Sequence, residues 1–269
     1  MANSVDAPHT NPTPDALAKM GTAELKQLIL DRVEGREGDK IAEKVRAANE
    51  QLMPLFDALA AQNPTPNLPD QTPLMLGVWR SVWSTIPFQD IVPGRSLDQS
   101  YQIFADNGYY ANVARYQLSN KIPLVNRFAR GLLNYDLMII QSYAIAEAPE
   151  AEAPEAVATE PNTQQAWDIE NVSIRQQFRL KSLPLSPQAA QSWFDRAIAQ
   201  HLADPTTSSA KGSAIPTKGI DRSTAKRYEK VYKSKPKLEH LYIDREFRLV
   251  KSSREKNQRP SYTIATRLI

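Results

Sequence analysis

Few side chains in this sequence are of the types that usually carry out catalysis. The chain of 269 residues contains no cysteine, and none of its three histidines lies at metal-ligand spacing from another. Two carboxylate pairs, Asp168 with Glu170 and Asp244 with Glu246, have a spacing that acid–base chemistry on a strand would use. Both pairs lie at predicted strand ends among polar neighbours, which favours a solvated or turn position. The sequence therefore predicts no enzyme activity, no catalytic residue, no metal site and no cofactor.

A second group of residues has the types expected around an apolar ligand. Aromatic rings with a polar tip suit a molecule that has a long apolar body and one oxygen atom. Seven such candidates lie at alternating positions in predicted strands: Trp83, Tyr101, Ile103, Tyr116, Ile139, Gln141 and Tyr143. An ordinary packed core would use the same residues, so the sequence leaves both alternatives open.

These candidates lie in segments where apolar and polar residues alternate with a period near two, which is typical of half-buried strands. Eight segments have this pattern: 77–85, 97–105, 109–118, 135–145, 169–181, 238–243, 247–251 and 262–268. The clearest is 169–181, where Ile174 and Phe178 alternate with Arg175 and Arg179. About eight short strands with one wet face predict a mainly β fold, a closed antiparallel β-barrel. A barrel of this size is filled by side chains or holds one small ligand.

The remaining segments predict how the chain is organised around the barrel. Residues 1–21 are polar and proline-rich and are predicted to be disordered, and residues 22–66 have the 3.6-residue apolar period of amphipathic helices packed on the barrel. The barrel is predicted to span residues 74–269. It is interrupted by an acidic low-complexity insert at 146–166 and by a helical and basic insert at 186–237.

Charge is unevenly distributed, with seven acids and no bases in 147–170, and fifteen Lys and Arg against seven Asp and Glu in 203–259. The basic stretch has three interpretations: docking to anionic lipid headgroups, binding to nucleic acid, or a loop that is either solvated or paired with the acidic stretch. Nucleic acid is the least expected partner. The candidates for membrane docking are Lys226, Arg227, Lys230, Lys233, Lys235 and Lys237.

No apolar run approaches the 18–20 residues that span a bilayer, and the N-terminal segment has the pattern of neither a signal peptide nor a transit peptide. We therefore expect any membrane contact to be peripheral, and we expect either a bacterial cytoplasm as the compartment or a chain that is a mature form.

One segment resembles a known family. The sequence LGVWRSVWST at 76–85 resembles the first strand of the plastid lipid-associated proteins, the fibrillins, with Gly77, Trp79 and Arg80 at matching positions and Trp83 in place of the usual tyrosine. LYIDREFR at 241–248 is similar to the family's C-terminal segment. Gln102 and Ile103, with Asn112 nine residues later, fit the family's middle segment, and residues 24–66 resemble its N-terminal helical part. The resemblance covers roughly 22–145 and 238–269.

The resemblance implies a lipocalin-like barrel in which Trp79 follows Gly77 at the narrow end and Arg248 covers the indole. This plug would stabilise the fold rather than select a ligand. The family's association with thylakoids implies a cyanobacterial member on the cytoplasmic face of that membrane or in the cytoplasm. Its implied function is non-enzymatic binding or sequestration of a carotenoid, quinone or similar lipid, with a photoprotective role.

Two other functions remain open from the sequence alone. The first is a protein-interaction or assembly module whose barrel is filled, although the sequence identifies no protein partner. The second is a lipid-modifying enzyme, which would require a polar cluster inside the cavity.

Overall fold

The computed structural model describes residues 12–86, 95–117, 133–145, 166–180, 183–203, 234–254 and 258–269. Residues 1–11, nearly all of the acidic insert, and the docking candidates Lys226, Arg227, Lys230 and Lys233 lie outside these ranges. The described part is mainly β, as predicted from the alternating pattern.

Eight strands form: β1 Gly77–Ser84, β2 Arg95–Phe104, β3 Tyr109–Gln117, β4 Leu133–Ile145, β5 Trp167–Leu180, β6 Lys237–Ile243, β7 Phe247–Ser253 and β8 Ser261–Arg267. Each overlaps a segment whose alternation predicted a strand, so the prediction of these strands is confirmed. The described helices are α1 Pro14–Leu17, α2 Thr22–Val33, α3 Ile41–Ala47, α4 Met53–Ala60, α5 Leu68–Met75 and α6 Pro187–Ala203, and a π-helical segment, Ala48–Leu52, joins α3 to α4.

The eight strands make one antiparallel sheet that closes on itself as a ring, because each strand pairs with its neighbours in the chain and β1 also pairs with β8. The β5–β6 junction is short, with only the register pairs Trp167↔Leu238 and Asp168↔Lys237. Asn171 extends this junction, since its side chain donates to the carbonyl of Ser234 at 3.2 Å.

Helices cover much of the outer face of the ring. Leu25 and Ile29 of α2 and Phe56 of α4 are completely buried in a cluster with outward side chains of β1, β6, β7 and β8. On the other side, Phe194 and Ile198 of α6 pack on the outer face of β1 to β4. Residues 14–17, which fall in the segment predicted to be disordered, form one helical turn, and Leu17 joins the first cluster.

One end of the ring, which we term the closed end, is covered by α5. Leu68 and Met75 of this helix are buried with inward side chains such as Trp79, Phe104 and Ile243. Among the described residues, no helix is both long enough and apolar enough to cross a membrane.

Candidate functional site

Trp79 lies at the centre of the closed end. The indole is completely buried, and its Nε1 donates to the carbonyl of Met75 at 2.8 Å, which ties β1 to α5. The guanidinium carbon of Arg248 lies 5.0 Å from a ring centroid of Trp79, and that of Arg267 lies 4.3 Å from it. Two guanidinium groups therefore contact this indole by cation–π interaction, whereas the sequence pointed to Arg248 alone.

Gly77 begins β1 in a backbone conformation that would be strained for any other residue. Its φ of +105° is rarely adopted by L side chains, and a Cβ atom there would clash with the carbonyl oxygen of Ile269. The same carbonyl accepts from Val78 N at 2.8 Å, and Arg267 donates to the carbonyls of Leu74 and Leu76. Gly77 therefore lets the C-terminus close the ring against β1.

Arg248 belongs to a buried polar chain beneath the ring interior. Its Nε donates to His240 Nε2 at 3.1 Å, so the other imidazole nitrogen carries the proton and donates to Gln71 Oε1 at 2.9 Å. Burial, with the positive charge of Arg248, holds the pKa of His240 well below its ordinary value. Burial also lowers the pKa of Arg248, to about 9. His240 is therefore a neutral structural residue at neutral pH.

Above the closed end, the ring encloses a cavity of about 170 Å³. An engineered cavity of roughly 150 Å³ in another protein admits one benzene molecule, so this cavity has room for about one six-membered ring. Apolar side chains that line it include Leu137, Ile139, Ile169, Leu238 and Val250, and polar ones include Ser81, Ser100, Gln102, Asn112, Gln141, Asn171 and Thr263. Within the described ranges, the lining contains no carboxylate, histidine or lysine, and its charged residue is Arg254.

Four amides form a continuous hydrogen-bonded row across β2 to β5, which we term the amide ladder. Gln102 Nε2 donates to Asn112 Oδ1 at 3.2 Å, and Asn112 Nδ2 donates to Gln141 Oε1 at 2.7 Å. Gln141 Nε2 then donates to Asn171 Oδ1 at 2.8 Å. All four residues line the cavity, so the ladder makes one wall of the cavity polar.

The end of the ring opposite Trp79, which we term the mouth, carries an aromatic row. Tyr116, Tyr135 and Phe178 are register partners on β3, β4 and β5, so their side chains share the inner face. The rings of Tyr116 and Tyr135 stack at 5.1 Å, and those of Tyr135 and Phe178 lie 6.4 Å apart. Tyr116 lines the cavity, whereas Phe178 is 62% exposed. The row therefore leads from the cavity to the surface.

On the outer face near the mouth, Asp136 is completely buried between arginines. Arg115 donates to both of its carboxylate oxygens, at 2.6 and 2.9 Å, and Arg179 Nε lies 3.2 Å from Oδ2. Arg115 also donates to the carbonyl of Leu183 in the segment before α6. This cluster attaches that segment to β3 and β4.

The structure brings four of the seven predicted cavity residues to the cavity: Tyr101, Tyr116, Ile139 and Gln141. Tyr101 only borders it, because its ring packs with the α6 cluster and its hydroxyl donates to the Leu185 carbonyl at 2.7 Å. Ile103 lies on the same outer face under α6.

Trp83 and Tyr143 also lie away from the cavity, for different reasons. A register irregularity between Ser81 and Trp83 in the β1–β8 pairing turns Trp83 outward, where it packs against the N-terminal helices. Tyr143 faces inward but lies at the closed end, where its hydroxyl donates to the Ala105 carbonyl at 2.6 Å.

The two docking candidates in the described ranges are engaged in ion pairs. Lys235 contacts Glu170, and Lys237 lies 3.8 Å from Asp168, both at exposed positions. The described residues of the basic and acidic stretches therefore meet at the β5–β6 junction, which agrees with the alternative that the two stretches pair. The other carboxylate pair serves a turn, because Asp244 Oδ1 accepts from the backbone N–H groups of Glu246 and Phe247.

Sequence reasoning did not select Ser81, Gln102, Asn112 or Asn171 for the cavity. The choice of Tyr101 and Ile103 for the interior places Gln102, which lies between them in the strand, on the opposite face. Gln102 and Asn112 match the family's middle segment, but the resemblance implies no role for them in the cavity. Amides at paired positions on neighbouring strands are a signal that could have found them.

A scan of known protein families found no model that matches the chain, and searches of curated proteins and of solved structures found no similar protein or fold.

Proposed function

We propose that the ring is a lipocalin-like barrel that binds the polar head of a hydrophobic molecule without changing it chemically. The observation that carries this proposal is the cavity of about 170 Å³, which has the amide ladder on one wall and a mixture of aliphatic, aromatic and hydroxyl side chains elsewhere. A few convergent polar groups in a mainly apolar enclosure are the usual composition of a small-molecule site.

The volume of the cavity limits the size of the ligand that it can enclose. Sites that enclose drug-sized ligands have volumes of roughly 300–1,000 Å³, so a cavity of about 170 Å³ suits a single ring rather than an extended chain. Among the molecules suggested by the resemblance, this favours the head of an isoprenoid quinone over the polyene of a carotenoid. The isoprenoid tail would leave the ring at the mouth, along Tyr116, Tyr135 and Phe178.

The chemistry of the lining supports binding rather than catalysis. Asn and Gln amides donate and accept hydrogen bonds but do not exchange protons at neutral pH. The hydroxyls of Ser81, Ser100 and Thr263 also line the cavity, but within the described lining no carboxylate, histidine or lysine is present to act as their general base. The polar cluster in this cavity therefore supports the non-enzymatic alternative.

The mouth has the composition of a membrane contact. Phe178 is 62% exposed and Leu183 is 72% exposed, and Arg179 lies beside Phe178 in the chain. An exposed aromatic ring beside a guanidinium suits the boundary between acyl chains and anionic headgroups. We base relatedness to the fibrillins and the thylakoid setting solely on the resemblance of 76–85 and 241–248.

A titration with 1,4-dimethylbenzene, a one-ring apolar probe, tests the cavity. We expect saturable one-site binding to the wild type and loss of binding in Ile139→Trp, because the indole fills the space that Ile139 borders. Ile145→Trp is the matched control, since Ile145 is on the same strand, is 48% exposed and does not line the cavity. No saturable binding to the wild type would reject the proposal and favour an assembly module.

A further inference from the structure

Resting on the proposed function, we infer that the cavity selects a head that bears a hydroxyl group, as in a phenol or a hydroquinone, over one that bears only carbonyl or ether oxygens. The inference comes from the unpaired end of the amide ladder. Gln102 is 9% exposed, and its Oε1 is buried with no hydrogen-bond partner in the part of the chain that the structure describes.

The direction of the ladder is determined by its opposite end. The Ser234 carbonyl can only accept, so the nitrogen of Asn171 faces it and Asn171 Oδ1 faces Gln141. Gln141 must then donate from its nitrogen, which leaves its oxygen to accept from Asn112. By the same reasoning Asn112 accepts from Gln102, so the end of the ladder presents an oxygen.

The hydrogen bonds to neighbouring amides therefore fix, for each amide in the row, which side its oxygen faces and which side its nitrogen faces. Reversing Gln102 alone would place two oxygens against each other at Asn112, which costs a hydrogen bond inside the ring. A buried acceptor that lacks a partner destabilises the folded protein, so a ligand that donates to it removes this penalty.

Ser81 supplies the complementary group. Its Oγ is buried and likewise has no partner among the described residues, and the side chain lines the cavity. Because Trp79 is the register partner of Gln102, Ser81 lies diagonally across β1 and β2 from Gln102 on the same face, at roughly 7–8 Å between Cα atoms. A single hydroxyl between them can donate to Gln102 Oε1 and accept from Ser81 Oγ.

A quinone carbonyl satisfies only half of this pair, because it accepts from Ser81 but has no proton for Gln102. A site built around a hydroxyl discriminates strongly against analogues that lack it, since the polar groups of the protein are then left unpaired. The cavity should therefore prefer the reduced form of a quinone head over the oxidised form.

The test compares 4-methylphenol with 1,4-dimethylbenzene, which have the same shape and differ by a hydroxyl in place of a methyl group. The ratio of the two Kd values is measured in the wild type and in each variant. Because the two probes differ in hydrophobicity by the same amount in every measurement, comparing the ratios cancels that contribution. In Gln102→Met, which keeps the side-chain length without the acceptor, the preference for the phenol should fall about tenfold. Ser81→Ala should reduce it in the same direction.

Ser173→Ala is the matched control, because Ser173 Oγ is also buried without a partner among the described residues but does not line the cavity. This variant should keep the wild-type ratio. In the wild type, 4-methylphenol should shift the NMR signals of the Gln102 side-chain amide more than 1,4-dimethylbenzene does. This measurement uses the wild type alone and so does not depend on the folding of a variant.

The outcomes separate the two proposals. An unchanged ratio in Gln102→Met, or equal amide shifts with both probes, would overturn the hydroxyl inference and leave the cavity as a binding site. Absence of binding of either probe to the wild type would reject the proposed function and the inference with it.

Discussion

At the scale of single residues, this protein contains two kinds of buried polar group. Asp136 is charged and surrounded by donors, whereas Gln102 and its amide neighbours are neutral and pair with one another. Buried charges depend strongly on their partners, because a lone ion in the interior costs several kcal/mol.

Asp136→Asn should lower the free energy of unfolding by about 3–5 kcal/mol, measured by urea denaturation. The change leaves Arg115, whose side chain is 6% exposed, without its counter-charge. Glu170→Gln is the control, because its partner Lys235 has a 77% exposed side chain and we expect no measurable change there. Equal stability of Asp136→Asn and wild type would contradict the role of this cluster.

His240 should make stability depend on pH. Its pKa is lowered in the folded state, so the unfolded state binds more protons once the pH falls below about 6.5, the unfolded value. The free energy of unfolding should therefore be highest above about 6.5 and fall with acidification, by at most about 1.4 kcal/mol per pH unit for this group.

His240→Gln should remove most of this slope, measured as the free energy of unfolding between pH 7 and 5. His201→Gln should retain most of it, because His201 is only partly buried although burial lowers its pKa as well. A slope that persists in His240→Gln and disappears in His201→Gln would reverse the assignment.

At the scale of elements, alternation predicted all eight strands but not which face of each strand is inside. Both faces are buried over much of the ring, because helices cover the outside and side chains fill the inside. Tyr101 and Gln102 are therefore both buried. A prediction based on hydrophobicity places Tyr101 inside the ring, although its side chain packs on the outer face. The irregularity beside Trp83 reverses the alternation in a way that residue types do not reveal.

Helix α5 was missed for a related reason. The sequence LPDQTPLM contains Pro69 and Pro73 and is typical of a loop. Burial of Leu68, Gln71 and Met75 against the closed end stabilises the helix despite its low propensity. Tertiary contacts of this kind are not visible in local sequence.

Gly77→Ala should lower the free energy of unfolding by about 2–4 kcal/mol, because the φ of +105° becomes strained and the new methyl group meets the Ile269 carbonyl. Gly35→Ala is the matched control: its φ of +69° is also positive, but nothing lies within 4 Å of the added Cβ. We expect a loss of about 1–2 kcal/mol there. Equal losses of unfolding free energy in the two variants would contradict the close contact between the Ile269 carbonyl and Gly77.

At the scale of the whole molecule, the two ends of the ring differ. The closed end is sealed by Trp79, Arg248, Arg267 and α5, and the mouth presents the aromatic row. In the proposed binding mode, the ligand head lies near the middle of the ring and the tail leaves at the mouth. The family resemblance suggested this polarity, but the cavity wall and its amides became evident only from the structure.

Phe178→Ser should weaken sedimentation with vesicles of phosphatidylcholine and phosphatidylglycerol by several-fold, because it removes the exposed aromatic side chain at the mouth. Leu202→Ser is the control: Leu202 is 53% exposed, but the neighbouring His201 packs on Tyr109 at the closed end. Equal weakening by both variants, or no binding by wild type at low salt, would contradict membrane contact through the mouth.

The most direct test of ligand binding in the ring is mass spectrometry of the organic extract from protein purified out of a host rich in isoprenoid quinones. We predict that a one-ring isoprenoid accompanies the wild type at up to one molecule per chain and is missing from Ile139→Trp. A wild-type extract that contains no hydrophobic compound, or the same compound in equal amount from Ile139→Trp, would contradict the account.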